Sequence, residues 1–585
     1  MQLRSRVRFF IQALCVCTVL GTYSDASIAY GMSAREVVSA ILRSSESQSD
    51  GSRTTNFRPV VVPAIDEVVE ASKKDRWSAK DSSTVGEAYE QTRQWVNAIR
   101  IYEASLEEHP GDDVLKYALR RTRVHFAIER RYSDRSFEEQ MLLQSRSEAL
   151  DLMEDVLTRV QMEYVDEIKP TKFVAHGTES LYMALGNARF IKAHKLESKA
   201  AGVAQLRSLL VKQYWNKRIS SRLEARMVVT EVCDAAQRAV SLPASSVVLE
   251  YLFGGCNALD DYSNFLTPDR YNDLFGSIQG EFVGIGIEME AAKGKGMHLV
   301  NVLLESPAED GGLRPGDHIV EVDGKDCRNM TTDEAARLLR GARGSRVNLR
   351  FTDIAGDLKS TSLTRRPVQV RSVTRSMILD RSQGIGYIKM TGFQNSTEDE
   401  MDNALRSLER DGLKALIWDL RGNPGGLLDT AAAVIDRFID SGVLVSTEGR
   451  SYDQDQTFRA RTYNTRNIPL VLLVDGNSAS ASEIVAGAIK DHNRGQIVGE
   501  KTYGKWSVQS IIHLPGGTGL KLTTAKFFSP NHMNYAGKGL HPDVPVAVEK
   551  NVRKTLSRAR TSDEIRMDPD VAKALEILDR RYSQK

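Results

Sequence analysis

The chain has 585 residues, of which 41% are apolar and 27% are charged, and its formal net charge is +2. At roughly 150 residues per domain, a chain of this length is expected to hold about four domains. This composition excludes a polytopic membrane protein and a wholly disordered chain. The nearly neutral charge gives no electrostatic sign of nucleic-acid binding. Five cysteines are too few for a disulfide scaffold.

The first thirty residues predict export. Three arginines precede an apolar run, Phe9–Leu20, of about 12 residues, whereas a membrane-spanning helix needs roughly 20. Small residues follow at Ser27-Ile28-Ala29. We therefore predict a signal peptide over residues 1–29, cleaved after Ala29, and an exported, periplasmic protein. An uncleaved signal, which would leave the protein membrane-associated, and a buried N-terminal helix are the alternatives. A disulfide could join two of the three cysteines beyond it: Cys233, Cys256 and Cys327.

The next two regions are predicted to be a linker and a helical region. Residues 30–75 are rich in serine and charge, as linkers are, and residues 76–255 have 3.6-residue periodicity with almost no strand signal. Residues at about 79–112 have the spacing of one tetratricopeptide unit: Val85, Gly86, Tyr89, Ala98, Tyr102, Ser105 and Pro110. No second copy follows. We expect a single degenerate unit packed on neighbouring helices; a surface for an adaptor or for homo-oligomers is the alternative.

From Gly280 onward the chain changes to short β-branched runs punctuated by glycine. The phrases at 313–317 (Leu-Arg-Pro-Gly-Asp) and 322–324 (Val-Asp-Gly) are specific enough that residues 280–366 resemble a PDZ domain. A glycine-bearing loop before a strand exposes backbone N–H groups that can hold a carboxylate, and the strand edge can accept a peptide. By this resemblance the loop that receives a free C-terminus is Val283, Gly284, Ile285 and Gly286. A small structural barrel is the alternative.

Residues 367–548 return to alternating strands and helices, which predicts an α/β domain with buried parallel strands. Residues 256–279 are predicted to be its N-terminal connection, and residues 549–585 a C-terminal helical tail. The strands are expected at 386–390, 415–420, 470–474 and 497–498, and the helices at 397–408 and 480–490. Two glycine-rich turns, 419–426 and 475–483, follow two of these strands at the edge where open α/β sheets bind ligands.

The second turn places serines at the start of a helix, where backbone N–H groups and the helix dipole can stabilise an oxyanion. Such a scaffold suits acyl transfer, which also needs a base. His492 stands twelve residues after Ser480, about 18 Å along a helix, and His513 and His541 have no aspartate at a suggestive spacing. A Gly-x-Ser-x-Gly motif is absent.

Lys505 is the better candidate base, since a desolvated lysine can lose its proton near neutral pH. Gln509, four residues later in an extended segment, would project to the same face and could orient the amine. The rival interpretation is a nucleotide-binding P-loop at 499–505. It is disfavoured because Trp506 stands where Ser or Thr must hold magnesium and because a strand, not a helix, is expected next.

These turns, in order with several further phrases between about residues 145 and 548, resemble the serine carboxyl-terminal processing peptidases, the family of the tail-specific protease. The further phrases include those at 259–263, 520–525 and 537–543. The resemblance implies a multidomain α/β protein: a helical N-terminal region, a PDZ domain and a ClpP/crotonase-like catalytic domain. It implies Ser480 as the nucleophile, Lys505 as the base and Gln509 as its partner, with no metal or cofactor. The implied oxyanion donors are the N–H of Ala481 and one from Gly425 or Gly426.

Two residues near the dyad extend this comparison. Asp491 matches an acidic position of some family members and is expected to support the site rather than to take part in catalysis. Trp506 departs from the family, which favours glycine after the lysine. We expect its ring to fill part of the cleft in the resting enzyme, with desolvation of Lys505 as the alternative.

The sequence therefore predicts an exported serine endopeptidase that processes or degrades proteins with free apolar C-terminal tails. Two other classes of function stay open at this point. One is a catalytically inactive scaffold whose PDZ and helical-repeat modules bind protein C-termini. The other is an acyl-CoA hydratase of the crotonase type, which an exported chain with a PDZ insert disfavours. Nucleic acid is not an expected partner.

Overall fold

The computed structural model describes residues 34–35, 37–39, 41–42, 65–74, 76–292, 294–461, 465–547 and 561–583. The predicted signal peptide and most of the predicted linker lie outside these residues. Within them, no helix combines the length and the apolar character that crossing a membrane requires. The described chain divides into two compact units: one runs to Tyr271 and includes Ser510–Thr523, and the other consists of Asn272–Gln509 and the residues from Thr524 onward.

The first unit is mostly helical. Its helices are α1 Ile65–Lys74, α2 Ala79–Gln91, α3 Trp95–Glu108, α4 Asp113–Arg131, α5 Arg146–Glu163, α6 Pro170–Ala184, α7 Ala188–Ala193, α8 Ala200–Leu209, α9 Arg222–Val240 and α10 Ala244–Cys256, and α11 Pro268–Gln279 crosses into the second unit. A short strand, β1 (Asn264–Leu266), pairs antiparallel with residues 519–521. The three cysteines of the described chain are buried free thiols, so no disulfide joins them.

Helices α2 and α3 form the helix pair predicted around residue 95. Ser78 and Asp81 form a capping box at the start of α2, and Pro110 follows the end of α3. The two helices approach closely because Gly86 has no side chain: a Cβ atom there would lie 2.3 Å from the Tyr102 ring. The pair is present; its assignment to the tetratricopeptide repeats stays a prediction.

The first part of the second unit is a small antiparallel sheet with two helices. Its strands are β2 Glu281–Gly284, β3 Ile287–Ala292, β4 Gly296–Val302, β5 His318–Val322, β6 Lys325–Asp326, β7 Arg346–Thr352, β8 Leu358–Thr364 and β9 Arg366–Gln369, and its helices are α12 Pro307–Asp310 and α13 Thr332–Leu339. The main sheet has the order β3-β4-β5-β7-β8, so that β3 is an edge strand, while β2 pairs with β9. Thr331 and Glu334 form a capping box at the start of α13.

The rest of the second unit is an α/β domain. Its central sheet has the order β10-β11-β12-β15-β16-β19 and is parallel from β11 onward. These strands are β10 Val373–Asp380, β11 Ile385–Met390, β12 Ala415–Asp419, β15 Leu470–Val474, β16 Gln496–Gly499 and β19 Val544–Pro545. A second sheet contains β13 Val443–Gly449, β14 Gln456–Arg459 and the end of β18 Gly519–Phe528, whose residues 525–528 pair with β13. The strand before β18 is β17 Ser507–His513.

Five helices cover the central sheet: α14 Thr397–Arg410, α15 Leu428–Ile435, α16 Ala481–Asp491, α17 Ser562–Arg566 and α18 Pro569–Ser583. Side chains alternate between the two faces of a strand, so Leu416 and Trp418 pack with α14, α15 and α16. Ala415 and Ile417 of the same strand pack with α17 and α18. Burial on both faces explains why these strands are continuous apolar runs in the sequence.

Candidate active site

The two glycine-rich turns meet at one edge of the central sheet. We call residues 420–427 the glycine turn and residues 475–480 the serine turn. They follow β12 and β15, which are parallel neighbours, so both leave the sheet at the same edge. Asn423 of the glycine turn accepts the Ala479 N–H at 3.1 Å and the Ser482 hydroxyl at 3.0 Å on its carbonyl oxygen. The Ser478 hydroxyl donates to the Leu420 carbonyl at 2.8 Å, so hydrogen bonds fix one turn against the other.

Ser480 has a strained backbone. Its φ of 54° and ψ of −115° lie where L-residues rarely occur, at a cost of about 1–3 kcal/mol. The residue is half-buried and stands between β15 and α16, which is the strand-to-helix position of a nucleophile elbow. The sequence did not predict this elbow, because the Gly-x-Ser-x-Gly motif is absent. What the sequence does show at this elbow is that both neighbours of Ser480 are small, since they are Ala479 and Ala481.

A glycine faces this elbow. A Cβ atom on Gly425 would lie 2.8 Å from the Ser480 Cβ and 2.8 Å from the Ala481 nitrogen, so a side chain there would displace the serine. The sequence predicted that the glycine turn and the serine turn lie at the same edge of the sheet, and in the structure they are in direct contact. Of the predicted site residues, Ser480, Ala481 and Gly425 therefore lie side by side.

Some backbone N–H groups around Ser480 donate to acceptors within the protein, and others have no acceptor among the described residues. The Gly425 N–H donates to the side-chain oxygen of Asn423 at 2.9 Å. The N–H groups of Ala481 and Gly426 have no acceptor among the described residues, and Gly426 is exposed. The sequence left Gly425 and Gly426 as equal candidates for the second oxyanion donor, and this geometry favours Gly426.

Glu483 joins the serine turn to the segment that carries Lys505. Its fully buried carboxylate accepts the Ser480 N–H at 3.0 Å and the Lys505 N–H at 2.8 Å on the same oxygen, Oε2. Its other oxygen accepts the Gly504 N–H at 2.7 Å and the Thr502 hydroxyl at 2.6 Å. Burial raises the pKa of Glu483, against the opposing effect of these four donors. Because both N–H groups donate to the same oxygen, the backbone nitrogens of Ser480 and Lys505 lie no more than two hydrogen-bond lengths apart.

Lys505 is buried, with 7% of its surface exposed. It precedes β17, which is a strand, so the segment lacks the helix that a phosphate-binding P-loop requires. Gln509 lies on β17 and donates to the Ser507 hydroxyl at 2.9 Å. The strand that the sequence predicts after Trp506 is present as β17.

His492 and Asp491 lie at the far end of α16 from Ser480. The His492 ring contacts the Val443 carbonyl oxygen through Nε2 at 2.7 Å. Asp491 accepts the Asn531 N–H at 2.8 Å and the Ser529 hydroxyl at 2.5 Å. Asp491 thus fixes the turn after β18, and neither residue takes part in the contacts around Ser480.

The structure contradicts the expected position of Trp506. The indole is 1% exposed and packs against Phe527 and Tyr535, with ring centroids 4.7 and 4.9 Å away. Gly487 on α16 makes room for it, because a Cβ atom there would lie 3.1 Å from the ring. Trp506 is therefore part of the hydrophobic core, and the expectation that it fills the cleft is wrong.

A buried charge cluster supports the start of the glycine turn. Asp419 is fully buried and accepts hydrogen bonds from the Tyr387 hydroxyl at 2.7 Å and from Lys389 at 3.0 Å. Arg421 donates to it through Nε at 3.0 Å and through a terminal nitrogen at 2.7 Å. Burial raises the pKa of Asp419, but Arg421 and Lys389 outweigh this effect and hold it well below its usual range.

Of the four predicted carboxylate-binding residues, only two lie in the loop between β2 and β3, namely Ile285 and Gly286. Val283 and Gly284 are the last residues of β2 and pair with β9. The carbonyl groups of Ile285 and Gly286 are bonded inward, to the N–H groups of Ala308 and Leu303. Within the described chain, their own N–H groups have no acceptor. The loop therefore presents two donors beside the open edge of β3, and α13 lies next to that strand, since the Thr332 hydroxyl accepts the Ala291 N–H at 3.2 Å.

Comparisons with known proteins match two regions of this chain to protein families. A family model described as peptidase family S41 matches residues 384–546, and a PDZ domain model matches residues 299–352. A carboxy-terminal-processing protease of Bartonella bacilliformis is 34% identical over 314 residues, which are 52% of this chain and 71% of that protein. A probable CtpA-like serine protease of Staphylococcus aureus is 34% identical over 293 residues, 50% of this chain and 58% of that protein.

The chain is also similar to a solved structure, a photosystem II D1 C-terminal processing protease. The sequence identity is 25% and the TM-score is 0.36, with 68% of this chain and 93% of that chain covered.

Replacing Trp506 tests its role in the core. Trp506→Ala removes a buried ring, so we expect the free energy of unfolding to fall by about 3–5 kcal/mol, with no increase in the rate of proteolysis per folded molecule. Chemical denaturation and a peptidase assay measure the two quantities. Trp506→Phe, which keeps most of the packing, is the control. A faster Trp506→Ala enzyme of unchanged stability would show that the ring does obstruct the cleft.

Proposed function

The chain belongs to peptidase family S41, and on this basis we propose that Ser480 and Lys505 form the catalytic dyad of an exported, tail-recognising endopeptidase. Membership in this family makes the chain a serine peptidase. It also removes the acyl-CoA hydratase alternative. The relatives are named as proteases, which gives no support to an inactive scaffold.

The shared carboxylate oxygen of Glu483 carries the dyad proposal. It accepts the backbone N–H groups of both Ser480 and Lys505, and so it ties the candidate nucleophile to the candidate base. A lysine acts as a general base only when it is neutral, and exclusion of water disfavours the ammonium form. Lys505 is nearly excluded from water, whereas His492 is occupied at the opposite end of α16.

The proposed reaction is acyl transfer through Ser480. The Ser480 hydroxyl oxygen attacks the scissile carbonyl carbon while the neutral amine of Lys505 accepts its proton. The N–H groups of Ala481 and Gly426 stabilise the resulting oxyanion. When the C–N bond breaks, the Lys505 ammonium returns the proton to the leaving amine. A water molecule then hydrolyses the ester in the same way, with Lys505 again as the base, and Gln509 orients the lysine amine.

The PDZ region is proposed to select the substrate. The N–H groups of Ile285 and Gly286, which have no acceptor in the part of the chain that the structure describes, can bind a C-terminal carboxylate. The edge strand β3 can pair with the residues that precede that carboxylate. The substrates are then proteins or peptides with free, apolar C-termini. Export and a periplasmic location are proposed from the sequence of residues 1–29, which is that of a signal peptide. If the signal peptide is not cleaved, the enzyme is membrane-associated.

Three substitutions test the dyad. A fluorophosphonate probe should label the wild-type enzyme and should not label Ser480→Ala. Lys505→Ala should lower the rate of labelling and of peptide cleavage by about 10³-fold or more, because the proton acceptor is lost. His492→Ala is the matched control and should keep its rate within about threefold. A folded Lys505→Ala enzyme that stays active, together with an inactive His492→Ala enzyme, would overturn the assignment.

The tail preference has its own test. A substrate that ends in small apolar residues with a free carboxylate should be cleaved faster than its amidated form or one that ends in Asp or Lys. Gly286→Ala should raise KM for the free tail, because φ is +81° and the added Cβ would lie 2.3 Å from Ser306. Gly324→Ala is the control, since its φ of +80° gives similar strain in open space. Equal rates for free and amidated tails would remove the PDZ region from substrate selection.

A further inference from the structure

The C-terminal segment, residues 561–583, contacts the glycine turn through charged groups. One terminal nitrogen of Arg421 donates to both oxygens of Asp568, at 2.8 and 2.9 Å, and to Asp570 at 2.8 Å. The segment lies beyond the residues that the S41 family model matches, which end at 546. It therefore adds a contact to the site from outside the matched region.

Arg421 is held from two opposite sides. Its Nε and one terminal nitrogen bind Asp419, and its other terminal nitrogen binds Asp568 and Asp570. The Arg421 carbonyl oxygen accepts a hydrogen bond from Lys389 at 2.6 Å. The side chain of Arg421 is 14% exposed, and charge-assisted hydrogen bonds are strong where water is largely excluded. Without the two C-terminal aspartates, one terminal nitrogen of the guanidinium would lose these partners in a nearly dry site.

The two aspartates are themselves fixed in place. Asp568 caps the start of α18 by accepting the N–H groups of Asp570 and Val571 at 2.9 and 3.2 Å. Apolar side chains then anchor this segment to the sheet face opposite α14, α15 and α16: Ile565, Val571, Ala574 and Leu578. The carboxylates thus sit on a packed helix start and provide Arg421 with a fixed counter-charge.

Arg421 lies in the glycine turn close to the proposed oxyanion donor, Gly426. It stands two residues before Asn423, whose carbonyl accepts the Ala479 N–H and whose side chain accepts the Gly425 N–H. Gly426 directly follows Gly425, and its N–H has no acceptor among the described residues. We propose that Asp568 and Asp570 are positioning residues, which act through Arg421 to hold the glycine turn so that the Gly426 N–H points at the developing oxyanion. This inference rests on the proposed function of Ser480.

Neutral substitutions of the aspartates test the proposal. Asparagine can still cap a helix, so Asp568→Asn/Asp570→Asn removes the charge while it keeps the shape of the helix start. We expect kcat per titrated active site, and the rate of fluorophosphonate labelling, to fall by about 10–100-fold, with KM for a peptide changed less than about twofold. Active-site titration counts the competent molecules, so that partial unfolding does not count as a slower reaction.

Glu576→Gln is the matched control. This carboxylate lies on the same helix and bonds Lys573 and Arg580 within it, so its loss should leave kcat unchanged. If the double variant does not fold, Asp570→Asn, which leaves the Asp568 cap intact, decides the question by the same kcat measurement. A variant with fewer active molecules but wild-type kcat per site would overturn the proposal and leave the aspartates a purely structural role. Wild-type labelling of Ser480→Ala would instead refute the proposed function itself.

Discussion

The geometry of the site depends on one buried carboxylate. A charged carboxyl group is costly to remove from water unless hydrogen bonds replace its hydration. Glu483 meets this requirement with donors from two separate segments, the serine turn and residues 502–505. Three of the four donors are backbone N–H groups, so Glu483 fixes the course of both segments without using the side chains of Ser480 and Lys505.

The central sheet provides the frame for this arrangement. Because β12 and β15 are parallel neighbours, the glycine turn and the serine turn emerge together, and hydrogen bonds to Asn423 and Leu420 hold them in register. Helices on both faces bury β12 and β15 completely. The C-terminal helices complete one of these layers and also reach Arg421, so that the packing of the fold and the alignment of the site share the same residues.

The sequence predicted the parts of this structure that leave a local pattern. The apolar run at 470–474 became β15 with the same limits, and the helix expected at 397–408 became α14, Thr397–Arg410. The roles expected of Ser480 and Lys505, nucleophile and base, came from the family resemblance. The elbow at Ser480 was missed because backbone strain has no fixed sequence signature once the flanking glycines are replaced by other small residues.

Contacts between distant positions could not be predicted. Glu483 was visible in the sequence only as part of a motif, since its role appears when residues 502–505 fold against it. Asp568 lies 147 residues from Arg421, and no periodicity connects them. Trp506 was placed wrongly for a related reason: its environment depends on Gly487 and Phe527, which belong to other elements.

Replacing Glu483 tests most directly whether this carboxylate aligns nucleophile and base. Glu483→Gln keeps the size of the side chain but replaces one of the two acceptor oxygens by an NH2 group. The donors that bonded to that oxygen lose their acceptor, which should lower the free energy of unfolding by about 1.5–3 kcal/mol. In the molecules that remain folded, the fluorophosphonate labelling rate of Ser480 should fall by about 10²-fold or more. Glu448→Gln, which replaces a carboxylate with 55% of its side chain exposed, should label as fast as the wild type. Labelling of folded Glu483→Gln at the wild-type rate would contradict the account.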